Sequence, residues 1–197
     1  MKRYSRLNTL IPYIDMPTQH GSDKILKDMR RGLDSKGIKK RINDLRKTNK
    51  NMSIRTTVIV GFPGEGDKEF QELYDFVNEV KFDRLGVFQY SEEEGTHGAE
   101  AFKDDVPKSI KQERYDAIMM LQQEINFSKN KERVGKKEKI LIDINNDDGW
   151  SLGRSYRDAP EVDNYVKINK KLLIGSMHDV MIKKAYEYDV EGEVING

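Results

Sequence analysis

Two sequence regimes predict a two-part fold: an α/β unit built on parallel strands, followed by a small all-β barrel. In the first two thirds, three β-branched or apolar runs are each followed by segments with helical periodicity, the pattern of β-then-α units. From about Lys136 the period changes. "KEKILIDI", "GWSLGRSY", "NYVKI", "HDVMIKKA" and "YDVEGEVI" are short alternating segments separated by "NNDDG", "RDAPEVDN" and "NKKLLIGS". Five short strands with Asp, Gly and Pro turns predict a small antiparallel barrel.

The elements follow in order. "TLIPYIDMP" (Thr9 to Pro17) reads as a buried strand ended by proline. "SDKILKDMRRGL" is a helix with Ser22 or Asp23 as N-cap. "SKGIKKRINDLRKTNKN" sets Ile38, Ile42 and Leu45 on one helical face under a basic outer face. "SIRTTVIVGF" is the second strand. "DKEFQELYDFVNEVK" carries an apolar stripe through Phe70, Leu73, Phe76 or Val77, and Val80, with Asp67 as N-cap. "DRLGVFQYS" is the third strand and "EEEGTHGAEAFKDDVP" a loop. A long helix then opens near Pro107 and traces a mostly apolar face through Ile110, Arg114, Ile118, Leu121, Ile125 and Ser128. Three parallel strands leave a small sheet with edges, which points to a portion of a larger sheet or to completion by another chain.

Composition narrows the function. The 197 residues are 36% hydrophobic and 35% charged, so the surface is densely charged, yet net charge is only +1. No global field draws the chain to nucleic acid or membrane. There are no cysteines, which excludes disulfides, thiolate metal sites, cysteine nucleophiles and cysteine-ligated clusters within this chain. No apolar run is long enough for a transmembrane helix, and the start lacks a signal-peptide core. "MKRYSRLNTLIPYID" runs almost directly into an apolar run, as expected of a piece of a longer chain.

The sharpest motif is "TTVIVGFPGEG", Thr56 to Gly66. It lacks the Lys-Ser/Thr pair of a Walker loop and the GxGxxG spacing. Gly61, Gly64 and Gly66 permit φ > 0, and amides ahead of a helix can cradle an anion or a base edge. On composition alone it is an ordinary strand–helix turn. Its place after a parallel strand is where α/β barrels carry chemistry. By the same rule Gln19 and His20 end the first strand, and Tyr90 and Ser91 the third, so they share a rim with Gly61 and Glu65. His20 is a candidate base or hydrogen-bond donor. His97 reads as a loop residue and His178 as a strand start. Asp15, within an apolar strand, needs a partner or lines the barrel mouth.

"GRSYRDAPEVDN" is the other dense stretch. Arg154, Tyr156 and Arg157 suit nucleic acid, whereas Asp158, Glu161 and Asp163 suit a basic partner; local pairing between the two sets is the third reading. "KKRINDLRKTNK", the most basic tract, reads as a solvated helix face.

Five collinear blocks, "PYIDMPTQHGSDKILKDMRRG", "IRTTVIVGFPGEGDKEFQELYDFV", "FDRLGVFQYSEEEGT", "LQQEINFSKNKERVGKKEKILID" and "GRSYRDAPEVDNYV", resemble consecutive segments of the radical-SAM methylthiotransferases. They are most similar to the RimO type, which modifies an aspartate of a small-subunit ribosomal protein. The resemblance spans about Leu10 to Glu193. It implies that residues 1–133 are the last three β/α units of a partial radical-SAM barrel and residues 134–197 an OB-like TRAM barrel. It implies S-adenosylmethionine and two [4Fe–4S] clusters as cofactors of a full-length parent, whose CxxxCxxC ligands this chain lacks. The chain alone is therefore expected to be inactive.

By position, Gln19, His20, Gly61, Gly64, Glu65 and Tyr90 would contribute to the S-adenosylmethionine pocket. Arg154, Tyr156, Arg157, Asp158, Glu161 and Asp163 would form a substrate surface. No catalytic or metal-ligating residue is assigned. The expected partner is a ribosomal protein or the assembled small subunit, with an RNA contact through the TRAM domain, in the cytoplasm and away from membranes. A tRNA-adenosine methylthiotransferase and a free-standing RNA- or protein-binding module are the alternatives. The acidic tail ("NNDDG", "DAPEVD", "YEYDVEGE") favours the ribosomal-protein type. Gly66 stands where a threonine or similar cap is usual in the family, and Asp67 is expected to cap instead.

Overall fold

The computed structural model describes residues 11–195. It divides into two compact units, one over residues 14–122 and the other over 123–195 together with 11–13.

The first unit is built on a three-stranded sheet of order β1 (Tyr13–Asp15), β2 (Ser53–Val60), β3 (Arg84–Gln89). Of the first predicted strand, Thr9 and Leu10 lie outside the described residues, and only Tyr13–Asp15 is regular. Pairing resumes at Gln19, whose N–H donates to the Thr57 carbonyl and whose carbonyl accepts from Ile59. β2 and β3 run parallel, from Arg55 opposite Arg84 to Val60 opposite Gln89. Along β2 every second side chain is buried: Ile54, Thr56, Val58 and Val60 face one side. That alternation shows one covered face and one open face.

The helices are α1 (Asp23–Asp28), α2 (Ser35–Thr48), α3 (Asp67–Val80), α4 (His97–Ala101) and α5 (Lys108–Lys131). α2 buries the predicted Ile38, Ile42 and Leu45, and α3 buries Leu73, Phe76, Val77 and Val80. Each such side chain removed from water contributes about 1.5–3 kcal/mol. Several helix ends differ from expectation. α3 begins at Asp67 with Gly66 as N-cap, and the Glu69 carboxylate accepts the Gly66 N–H at 2.9 Å. A glutamate at the third position does the capping that a side chain at the cap would otherwise supply. Ser22 is the N-cap of α1, but its hydroxyl donates to Glu72 instead of capping. α4 replaces the expected loop around His97, with Thr96 Oγ1 accepting the Ala99 N–H. On α5, Ser128 is exposed, whereas Gln122, Asn126 and Asn130 are buried. The expected Arg114, Ile118, Leu121 and Ile125 are buried, and the face continues through Gln122 and Asn130, which donate to backbone carbonyls, in place of Ser128.

The second unit is a closed barrel of order β4-β5-β6-β8-β7, formed by β4 (Lys137–Asn145), β5 (Ser151–Arg154), β6 (Val166–Ile168), β7 (Met177–Ala185) and β8 (Val190–Val194). All pairs are antiparallel except β6 with β8, which is parallel. That one pair departs from the antiparallel expectation and is the pair that closes the barrel. The interior is Ile140, Ile142, Val166, Ile168, Val180, Ile182 and Val190. Register shifts after Ile142 and Ile182 let two long strands coil, as bulges do in small barrels. Gly153 allows the closest approach: a Cβ there would lie 2.5 Å from the Leu141 carbonyl oxygen. Within this unit the end of α5 is stitched to the strands. Asn130 donates to the carbonyls of Tyr186 and Tyr188, and Arg133 grips Glu138 through two bonds of 3.1 and 2.9 Å.

Candidate functional site

The open face of the first unit's sheet holds a cleft of about 540 Å³. Its floor is Thr57, Ile59 and Phe88, and its rim includes Gln19, Phe62 and Tyr90. The rim residues sit at or beyond the C-terminal ends of the parallel strands, where α/β folds place ligands. Phe88 is 59% exposed. A large ring so open on the inner face of a sheet marks a surface shaped to receive something. Gln19 reaches the rim from a left-handed backbone, φ 73°, a strained state for a residue with a side chain.

Of the six rim candidates, Gln19 and Tyr90 line the cleft. His20 and Glu65 are fully buried behind it, and their side chains meet at 2.8 Å between Nε2 and Oε2. His20 Nδ1 accepts the Ser22 N–H at 2.9 Å, so in the neutral ring Nε2 carries the proton and donates it to Glu65. The other Glu65 oxygen accepts the Gly61 N–H at 3.0 Å and Arg114 Nη1 at 2.9 Å. Arg114 Nη1 also donates to the Glu65 carbonyl and Nη2 to Asp67, with the guanidinium over the Phe70 ring. A buried carboxylate is tolerated because it is paired and its lone pairs are filled.

This network changes the expectation for the glycine loop. Its amides are not presented to a ligand: Gly61 N–H goes to Glu65, Gly64 N–H to Asp105, Glu65 N–H to the Phe62 carbonyl, and Gly66 N–H to Glu69. An anion cradle needs unpaired donors, and these four are spent. What the loop offers the cleft is the Phe62 ring. Gly61 and Gly64 have φ of 72° and 77°, and a Cβ on Gly61 would fall 2.3 Å from Lys111 Cγ.

Tyr90 continues the wall that Phe62 begins. Its ring meets Phe62 edge-on at 5.1 Å, and Lys111 Nζ lies 5.1 Å from its centroid. Its hydroxyl is buried without a hydrogen-bond partner. Burial, then the nearby Glu92, Asp104 and Glu93 carboxylates, push its ionisation above the ordinary phenol range. Lys111 donates to the Tyr90 carbonyl at 3.0 Å and to Asp104 at 2.6 Å, tying the end of β3 to the segment that leads into α5.

Lys111 and Arg114 were not among the sequence candidates. The signal was present: two cations one turn apart, with Arg114 on an otherwise apolar helix stripe. Asp15 finds its partner in Arg55 at 2.8 Å.

In the barrel, Arg154 pairs with Asp143 on the neighbouring strand and not with the acids of its own loop. Arg157 stacks on Tyr156, with the guanidinium 4.8 Å from the ring centroid. Asp158 is buried and accepts from Ser155, Asp163 accepts the Ala159 N–H, and Glu161 stands exposed at φ 63°. The structure thus brings Arg154, Tyr156 and Arg157 together on one segment and turns Asp158 and Asp163 to loop folding. Among the described residues no three His, Asp or Glu side chains gather to hold a metal, and no helix is long and apolar enough to cross a membrane.

Comparison with known proteins gives this geometry its setting. Residues 1–77 match the Radical SAM superfamily and residues 134–195 the TRAM domain. The fold resembles coproporphyrinogen III oxidase (HemN) from Escherichia coli, described as a radical SAM enzyme, with a TM-score of 0.50, 21% identity, and coverage of 58% of this chain and 27% of that one. A radical-SAM partial barrel joined to a TRAM barrel defines the class. Over 184 residues the chain is 47% identical to the ribosomal protein uS12 methylthiotransferase RimO of Clostridium kluyveri. It is 43% identical over 187 residues to that of Christiangramia forsetii. These alignments cover 92% and 93% of this chain and 41% of each relative. The chain is thus similar along most of its length to RimO-type radical-SAM methylthiotransferases, and it spans less than half the length of those relatives.

Proposed function

We propose that this chain supplies one wall of an S-adenosylmethionine cleft and a substrate-gripping barrel to a methylthiotransferase that modifies an aspartate β-carbon of the small-subunit ribosomal protein uS12. The identity of 47% to a protein of that name over 92% of the chain carries the proposal. The cleft supports it: the exposed Phe88 ring, with Tyr90 near it, offers aromatic surface for an adenine-sized group, and Gln19 offers a polar contact. When bound, S-adenosylmethionine supplies the radical chemistry of the family. What these residues do is bind, orient and exclude water. His20, Glu65 and Arg114 hold the loop that carries Phe62.

An iron–sulfur cluster does not fit this chain. With no cysteine it has no thiolate to offer one. In the barrel, Arg154, Tyr156, Arg157 and the exposed Glu161 are the surface on which a ribosomal protein or its RNA surroundings would rest. The cellular setting that follows is the cytoplasm. Mass spectrometry of uS12 from cells with and without the gene tests the proposal. Loss of a methylthio-aspartate on deletion supports it; unchanged uS12 with loss of a methylthio-adenosine from tRNA overturns it.

A further inference from the structure

The first unit carries a charge asymmetry of which the cleft just described uses only Arg31. Residues Asp23 to Lys50 hold eleven lysines and arginines against four aspartates, a net +7. The chain's net charge is +1, so the other residues together carry −6. Such segregation of charge is a footprint of polyanion binding.

The structure gives the asymmetry a shape. Arg30, Arg31 and Arg41 line a second open cleft of about 440 Å³, floored by Met16, Leu33 and Ile38 and with no carboxylate in its lining. All three arginines are exposed. Arg31 is oriented by a bond to the Pro17 carbonyl at 2.9 Å. Arg30 projects from a left-handed residue, φ 55°, and neither it nor Arg41 has a carboxylate partner among the described residues. The neighbouring cations differ: Lys39 pairs with Glu79, Lys40 with Asp44, and Arg46 caps the carbonyls of Val80 and Lys81. Beside the cleft, Lys36 and Lys47 stand exposed about three turns apart on one line of α2.

We infer that the Arg30–Arg31–Arg41 cleft and the adjoining face of α2 form a docking surface for the phosphate backbone of single-stranded RNA. A membrane is disfavoured because the apolar stripe of α2 (Ile38, Ile42 and Leu45) is buried in the domain and has nothing to insert. Forked guanidiniums match phosphate oxygens, and a row of cations beside an apolar floor suits a chain of phosphates carrying bases. The choice of RNA over DNA rests on the proposed ribosomal substrate; the phosphate-binding surface does not.

The test is fluorescence anisotropy of a labelled single-stranded RNA with the full chain across a salt series. Wild type binds, and affinity falls steeply with salt. R30Q/R41Q weakens binding about tenfold and reduces the salt slope by about 1.4, since each phosphate contact on a single strand contributes about 0.7. R30K/R41K keeps the slope, and thermal melting of both variants matches wild type. Four results overturn the inference: no RNA binding by wild type, equal binding by R30Q/R41Q, loss of slope only in R154Q/R157Q, or tighter binding of poly-glutamate or of DNA of the same sequence.

Discussion

Arg114 reaches across 49 residues of sequence to donate to both the carbonyl and the carboxylate of Glu65, at 2.8 and 2.9 Å. Both side chains are almost wholly buried, at 6% and 0% exposure. Removing the cation strands the anion, a loss of about 3–5 kcal/mol. Arg114→Met is therefore expected to lower the melting temperature sharply. Adding Glu65→Gln should recover part of the loss, because the stranded charge is then gone. Circular dichroism melts of the two single variants and the double variant measure this coupling.

Gly61 and Gly95 share a positive φ, 72° and 77°, but only Gly61 has a neighbour in the way. Gly95→Ala should cost about 1 kcal/mol of backbone strain. Gly61→Ala adds a clash with Lys111 and should cost about 2–4 kcal/mol. Urea unfolding of the two variants compares them directly.

The Tyr90 hydroxyl has no partner in its wall, so Tyr90→Phe should leave stability at neutral pH unchanged or slightly higher. Its ionisation is raised in the fold, chiefly by burial. The neutral phenol is thus favoured by the folded state, and the stability it contributes is full below the unfolded value of about 10. It is lost as pH rises through the folded value. Alkaline unfolding curves should show this decline for wild type and a flatter one for Tyr90→Phe.

Ile182 is wholly buried in the barrel interior beside Val180 and Ile140. Ile182→Ala should cost about 2–5 kcal/mol through lost burial and the cavity left behind. Differential scanning calorimetry should assign the loss to the transition of the barrel.

Much of this architecture is legible in the sequence. The alternation in Ser53–Val60, the stripe of Leu73, Phe76, Val77 and Val80, and the turn-separated segments after Lys136 each state their element, because burial patterns repeat with the local period. The rim position of Gln19 and Tyr90 follows from strand direction alone. What sequence reading missed is long-range polar pairing. Nothing local to Glu65 reveals that His20 and Arg114 will fill its lone pairs, 45 and 49 residues away. Nor does the glycine loop announce that its amides are consumed internally. The parallel β6–β8 pair was equally hidden, since closure of a barrel is set by topology and not by any one strand.

The most direct test of the cleft is an NMR titration of the labelled chain with S-adenosylmethionine. Amide shifts confined to Gln19, the Thr57–Phe62 stretch and the Tyr90–Gly98 stretch are predicted, and Phe88→Ala should weaken them. Shifts located instead in the barrel of residues 134–195, or no shifts at saturating ligand, would contradict the assignment.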